Sequence, residues 1–484
     1  MRRIIAQLIY IRWYAALPRH KVKPGMLNRR RFLQSIAAAA ATPAVTFACR
    51  SNRSLVAPLR ADPDRIIDLP QGFSYSVVSR IGNPMADGLA VPGAHDGMAA
   101  FAGDNGRVIL VCNHELAPLS NYSGSYGGNY PSLPETMKSR FYDRGSDRSP
   151  ALGGTTTTIY NPASRKTERQ FLSLGGTEWN CDGGKTPWGS WLSCEESFGE
   201  IGVDNSDTGA GITRDKRHGY VFEVPASATE LVKAVPLKDM GRFEHEAAAV
   251  HESTGIVYLT EDQWHCLFYR FIPNVPGQLQ KGGRLQALGI IDEPAKNTHN
   301  WNRVDIRVNQ SLDTYWIDLE DVDSDRNDLR LRGAALGAAT FARCEGLAVA
   351  GDQIAFPCTI GGPARLGQVF LYKPSPYEGS AREQESPGNL TLIAEAGEKS
   401  LLKNCDNLTM APWGDLIACE DTEDNADHCA LVGIRPDGSQ YLVANNAYSD
   451  SELAGVCFSL DGKTLFVNIQ YPGMTVAITG PWPA

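Results

Sequence analysis

The chain has 484 residues, of which 42% are hydrophobic and 21% charged, an ordinary soluble globular composition with enough apolar residues to bury a large core. Its formal net charge of -9 disfavours a nucleic-acid surface and suits a site that needs many carboxylates to hold cations. The eleven cysteines are too few and too irregularly placed for a small disulfide scaffold, and no CxxC pair of the zinc kind occurs.

The N-terminus reads as a targeting segment rather than as part of the fold. Asn28-Arg29-Arg30-Arg31-Phe32-Leu33-Gln34, followed by Ser35-Ile36 and an alanine run from Ala37 to Ala41, has the twin-arginine export pattern. This apolar run falls short of the roughly 20 residues a membrane span requires. Cleavage is expected after Thr46-Phe47-Ala48, and Cys49 directly behind it leaves a lipid-anchored form open. Residues 1–25, basic and followed by Met26, read as an upstream extension of the start. The expected organisation is an extension and signal peptide over 1–48, a linker over 49–70 and a catalytic β-domain over 71–484. Passage through the twin-arginine export machinery implies a periplasmic or extracellular protein, and a monomer is expected.

From Pro70-Gln71-Gly72 onward, short strands broken by Gly, Pro, Asn and Asp replace any helical periodicity. One unit recurs. In its strongest copy Asn180-Cys181-Asp182-Gly183-Gly184-Lys185 runs to a turn at Thr186-Pro187-Trp188-Gly189, then Ser190-Trp191-Leu192-Ser193-Cys194-Glu195-Glu196 returns. Other copies open at Glu246 and Asp406 and close at Glu261-Asp262 and Glu420-Asp421; weaker ones open at Asp96, Glu345 and Glu452. An antiparallel hairpin brings its two ends to one edge. Outer strands such as Thr155–Asn161 and Gln368–Lys373 follow several of these hairpins, which makes four-stranded blades. Six blades around an axis give an all-β, six-bladed β-propeller. Segments 116–150, 197–217 and 274–340 interrupt the repeat and read as loop insertions over one face, with a short helix at Leu329–Gly337.

The radial arrangement would bring Asp96, Cys181, Glu246, Glu345, Asp406 and Glu452 to a common channel mouth. Unpaired, each buried charge there would cost roughly several kcal/mol, so cations must sit among them. Oxygen-rich ligation favours hard ions such as Ca²⁺ or high-valent iron, and the single thiolate suits a transition metal such as iron. Glu195, Glu196, Glu261, Asp262, Asn407, Glu420 and Asp421 could form a second ring. Singly, each of these acids reads more readily as a solvated turn residue; six in register point to a metal cluster. Arg343 projects to the same side of an extended chain as Glu345, and its fork suits phosphate oxygens as well as it suits a neighbouring carboxylate. Arg242 is a weaker candidate of the same kind, while His114 and His245 read as hydrogen-bond donors that orient ligands. Cys112, Cys194, Cys419 and Cys457 lie in apolar runs and read as buried thiols. No GxSxG elbow, phosphate-binding GxxxxGK[ST] loop, HExxH or EF-hand loop is present.

The stretches Asn180–Glu196, Gly241–Glu246, Arg343–Gly346, Asp406–Leu408 and Cys457–Gln470 resemble the PhoX-type alkaline phosphatases, a family exported by the twin-arginine route. The resemblance spans roughly residues 70 to 475. It implies a six-bladed propeller whose site holds two ferric ions and several calcium ions around a bridging oxide. The bridging cysteine matches Cys181, the iron-binding glutamates match Glu246 and Glu345, and the phosphate-contacting arginine matches Arg343. Calcium-binding acids match Glu195 or Glu196 and Asp406, whereas Asp96 and Glu452 rest on the repeat alignment alone. The activity so implied is iron- and calcium-dependent hydrolysis of small phosphate esters. Two other readings stay open at this stage: a calcium-dependent propeller lactonase or phosphotriesterase, and a non-catalytic propeller in which calcium is structural.

Overall fold

Residues 58–118, 124–147, 150–203, 212–421 and 429–483 are described here, from a computed structural model. The twin-arginine segment, its cleavage site and Cys49 lie outside the described residues.

The expected linker supplies two strands, β1 (Leu59–Arg60) and β2 (Ile67–Pro70), and β3 (Ser74–Arg80) follows them. Strands β4 (His95–Ala102), β5 (Val108–His114), β6 (Gly153–Asn161) and β7 (Lys166–Thr177) form the first antiparallel meander. The second is built from β8 (Asn180–Lys185) and β9 (Ser190–Glu195). After a small hairpin of β10 (Gly202–Val203) and β11 (Thr213–Arg214), β12 (Val221–Pro225) joins its outer side. The third comprises β13 (His245–Val250), β14 (Val257–Glu261), β15 (Tyr269–Pro273) and β16 (Gly283–Ile290).

Strand β17 (Ser311–Asp318) then couples this meander to the next one. That next meander comprises β18 (Ala348–Ala350), β19 (Gln353–Cys358), β20 (Gln368–Lys373) and β21 (Asn389–Glu395), so nine strands share one sheet. The fifth consists of β22 (Cys405–Met410), β23 (Leu416–Glu420), β24 (Ala430–Ile434) and β25 (Gln440–Asn446), extended by β2 and β1. The last, β26 (Leu453–Phe458), β27 (Thr464–Ile469) and β28 (Met474–Thr479), is completed by β3 from the other end of the chain.

The first strands are neighbours in turn. Strand β4 packs against β8 and β26, β8 against β13, β13 against β18, β18 against β22, and β22 against β26. The result is an all-β, propeller-like fold closed by pairing of an N-terminal with a C-terminal strand. That pairing ties the ring of meanders shut, and the radial repeat leaves each meander a short outer edge. Apolar layers fill the spaces between meanders; Met98, Leu110, Phe466 and Ala477 join the first to the last. Each fully buried Phe or Leu in such a layer contributes about 1.5–3 kcal/mol.

Local sequence explains the hairpin ends. In the Thr186-Pro187-Trp188-Gly189 turn, Gly189 sits at φ 83°, where a Cβ would be strained, and its N–H donates to the Thr186 carbonyl. The insertion over 274–340 is more ordered than a loop, because Gly283–Ile290 and Ser311–Asp318 extend the sheet as β16 and β17. A helix over Leu329–Leu336 follows and ends at Gly337, φ 109°.

Candidate metal centre

The same irregularity appears in every first strand. His95 pairs with His114 and Met98 with Cys112, so Asp96 and Gly97 together oppose Asn113 alone. Cys181 and Asp182 oppose Cys194 in the same way, Glu246 and Ala247 oppose Thr260, and Asp406 and Asn407 oppose Cys419. In the meander of β18 the register slips by one residue between the Cys344–Cys358 bridge and the Ala348–Ala355 pair, across Glu345. A β-bulge bends its strand and re-aims a side chain. Here it does so at Asp96, Cys181, Glu246, Glu345 and Asp406.

The sixth bulge falls on Gly455 and Val456, not on Glu452. Glu452 therefore enters the site from the lead-in to β26, which corrects the register of the repeat alignment while leaving the residue in the cluster.

Three donor groups result, in each of which the ligand atoms lie within 4.8 Å of one another. Cys181, Glu196 and Glu246 form one; Glu246, Glu345 and Asp406 form the second; Asp96, Glu115 and Glu452 form the third. Glu246 is common to the first two. Glu115 was not singled out from the sequence, although it closes the first hairpin as Glu196 closes the second.

Glu195 is not among them. Its oxygens accept from the Glu178, Gly219 and Tyr220 N–H groups at 3.0, 2.9 and 3.2 Å, and His218 Nδ1 lies 2.7 Å away. Glu420 is spent similarly on the Lys403 and Ala430 N–H groups, and Glu261 accepts from the Tyr269 hydroxyl. Successive residues of a strand face opposite ways. In these closing pairs the first acid secures the sheet, and the second is left for the mouth. Glu196 and Asp421 accordingly exchange charge effects with the cluster.

Electrostatics argue for cations. Burial first, and then mutual repulsion, hold Glu115, Glu196, Glu246, Glu345, Asp406 and Glu452 well above the usual carboxylate range. Burial also lifts Asp96, to about 6, against a hydrogen bond from Gln470. The Cys181 thiol is pushed up by burial and by Glu246 and Glu196, and it donates to the His245 carbonyl at 3.2 Å. These carboxyls and the thiol, with the Arg343 guanidinium beside Glu345, fit bound cations: oxygen donors for hard ions, sulfur for a transition metal.

Arg343 sits at φ 53°, a conformation L residues rarely adopt. Its backbone is fixed on both sides, N–H to the Gln263 carbonyl at 3.0 Å and carbonyl from the Thr359 N–H at 2.9 Å. The guanidinium donates to both oxygens of Asp262, at 2.7 and 2.6 Å, and lies 3.2 Å from Glu345. Its side chain remains 22% exposed. Arg242 is instead committed to the His218 and Gly199 carbonyls and to Glu200, with its guanidinium over Phe198. His114 is held by the Gly93 carbonyl and Thr156, with a pKa lowered by burial to about 4; His245 bonds the Gly241 carbonyl and is lowered to about 3. Both stay neutral and structural. Cys112, Cys194, Cys419 and Cys457 are buried thiols, free of disulfides.

A propeller-like scaffold that concentrates acids, one thiol and one arginine at its mouth defines a metal-dependent hydrolase. The family model for alkaline phosphatase PhoX matches residues 54–473, and the chain belongs to that family: it is a metal-dependent phosphatase, a phosphoric-ester hydrolase. Among solved structures, PhoX of Pseudomonas fluorescens in complex with vanadate, a transition state analogue, is similar at 19% identity and a TM-score of 0.65, covering 88% of this chain and 97% of that one. A gluconolactonase of Xanthomonas campestris matches at 11% identity and a TM-score of 0.39, covering 84% and 97%. A search of curated proteins finds no match.

Proposed function

We propose that the chain is an exported phosphatase hydrolysing small-molecule phosphate esters at an iron–calcium centre held at the mouth of a six-bladed propeller. Reading the nine-stranded sheet as two blades joined through β17 supports the count of six. Cys181, Glu246 and Glu345 would hold iron; Glu196, Asp406, and the Asp96, Glu115 and Glu452 group, would hold calcium. Cys181 would serve as an iron ligand and not as a nucleophile. The mature protein begins after the twin-arginine signal and acts as a monomer in the periplasm or outside the cell, anchored or not through Cys49.

The observation that carries this reading is the convergence of three donor groups beside one strained, bidentately held arginine. Bound ions supply Lewis-acid stabilisation of the charge that builds on the transferring phosphoryl group. The remaining work falls to side chains. Asp262 fixes the plane of the Arg343 fork, and the fork's open edge grips equatorial phosphoryl oxygens. That the Pseudomonas PhoX was captured with a transition-state analogue supports an equivalent seat here. Glu246, common to two groups, sets their spacing. Burial of the acids keeps bulk water from screening the site.

Elemental analysis of the folded, exported protein tests the metals, and hydrolysis of p-nitrophenyl phosphate tests the reaction. Cys181→Ala is expected to remove both a visible thiolate-to-iron absorption band and the activity. Full activity in that variant, or purified active protein without iron, overturns the assignment.

A further inference from the structure

The third donor group is held together by a residue that the chemistry above leaves unused. Asp96 lies in β4, Glu115 directly follows β5 and Glu452 directly precedes β26, so its acids come from the first and the last meander. Gln470, directly behind β27 and 4% exposed, bonds all three of these residues. Its side-chain Nε2 donates to Asp96 Oδ2 at 3.0 Å and to Glu115 Oε2 at 2.6 Å. Its backbone N–H donates to the Glu452 carbonyl at 3.3 Å. An amide nitrogen carries two hydrogens, and both are spent on acids of this one group.

Gln470 is itself fixed from several sides. The Tyr471 N–H donates to Ser451 Oγ at 2.9 Å, and Ser449 Oγ donates to the Tyr471 carbonyl at 2.9 Å. These bonds tie the end of β27 to the lead-in that carries Glu452. Two residues back, Asn468 accepts from the Thr475 hydroxyl at 2.6 Å and donates through Nδ2 to the Asp96 carbonyl. Residues two apart on a strand share a face. One face of β27 and its exit therefore fixes Asp96 twice, through its backbone and through its carboxyl.

Amide hydrogens orient a carboxylate without neutralising it, whereas lysine or arginine in the same place would supply a charge of its own. The contrast with the acids withdrawn from the mouth is direct. Both oxygens of Glu195 and both of Glu420 are taken by backbone N–H groups. Asp96 and Glu115 each give Gln470 one oxygen of two. Partners that orient metal-binding carboxylates in this way are worth roughly ten- to a hundredfold in metal affinity.

We infer that Gln470 is the positioning residue of the third donor group, setting Asp96, Glu115 and Glu452 at the spacing that one calcium ion requires. This rests on the metal-centre reading above, in which that group holds calcium. Loss of the amide weakens this ion and leaves the iron ligands Cys181, Glu246 and Glu345 in place.

Two variants of the purified, metal-loaded protein test it. Gln470→Met keeps the length of the side chain and removes both donors. Chelator competition should show one calcium ion per chain bound about tenfold more weakly, with iron per chain and the visible thiolate-to-iron band unchanged. Gln470→Lys places a fixed charge among the same acids. It should bind one calcium ion fewer per chain, and after metal stripping it should melt above stripped wild type. Wild-type calcium affinity and content in both variants overturn the inference, as does a joint loss of iron and calcium in Gln470→Met, which would mark a general structural role. A wild-type protein that holds calcium without iron defeats the iron–calcium phosphatase reading, yet the same calcium titrations still decide the role of Gln470. A wild-type protein that binds no calcium overturns it.

Discussion

Asp262 receives Nε and Nη2 of Arg343 at 2.7 and 2.6 Å, an ion pair in which both members are largely buried. Such a fork sets the orientation of the guanidinium as well as its charge. Lysine keeps the charge and loses the plane. Arg343→Lys is therefore expected to lower kcat/KM for p-nitrophenyl phosphate on the order of a hundredfold. Asp262→Asn, which leaves the arginine present but less firmly aimed, should cost less, mainly in KM. Wild-type kinetics in Arg343→Lys would detach this residue from the substrate.

Metal removal should expose the repulsion among the acids, and its sign follows from the shifts. A carboxyl whose pKa is raised by folding binds its proton more tightly in the native state than in the unfolded one, whose value is about 4. Stability contributed by that proton is present at low pH and is lost as pH rises through the folded value, about 6 for Asp96, with Glu246 and Glu345 raised in the same direction by burial and repulsion. Chelator-stripped protein should thus show a melting temperature that falls from pH 5 to pH 8, by on the order of 10 °C. Reloading with iron and calcium should flatten the profile. A stripped protein with no pH dependence over that window would mean that the cluster is not charged when the metals leave.

How far the sequence reveals this site depends on what each residue does locally. Asp96, Cys181, Glu246, Glu345 and Asp406 were legible because each opens a hairpin whose strands and turn have recognisable chemistry. The one-residue bulge that aims them was not, since a register slip leaves no trace in an alternating apolar pattern. Glu195 and Glu196 looked equivalent as neighbours, yet strand alternation sends them to opposite faces. Only the backbone N–H groups of Gly219 and Tyr220, brought in by β12, decide which acid secures the sheet. Glu452 reached the site by a route the repeat did not foretell, because Gly455 occupies its equivalent position. The order in 274–340 was hidden by a polar, Asn- and Asp-rich composition that conceals β17 until β16 and β21 flank it.

His218 makes a different prediction about pH. Burial alone would lower its pKa, but the carboxylates of Glu195 and Glu178, with a hydrogen bond to Asp143, push it up to about 10. The stabilisation is complete below the unfolded value near 6.5 and is lost as pH climbs through about 10. His218→Gln should melt on the order of 5 °C lower at pH 7, and the gap to wild type should narrow by pH 10. An unchanged gap across that range would show that the ring acts by packing against Tyr142 rather than by charge.

The crowding at the mouth demands glycine where neighbouring first strands nearly touch. A Cβ on Gly97 would lie 2.5 Å from Asp182 Cα and 2.8 Å from the Cys181 carbonyl oxygen, both of them backbone atoms that cannot swing aside. Gly97→Ala must therefore push β4 from β8, separating Asp96 from the group that contains Cys181 and Glu246. Overpacking of this kind costs about 1–3 kcal/mol, and it should lower the bound metal per chain and the phosphatase activity together. Gly397 is the matched control, since a Cβ there meets nothing within 4 Å. Gly397→Ala should stay within about 0.5 kcal/mol of wild type. Denaturant melts with metal analysis on both variants decide the matter. If Gly97→Ala keeps its full metal content and activity, the close approach of these two strands is not what brings the thiol and the acids together.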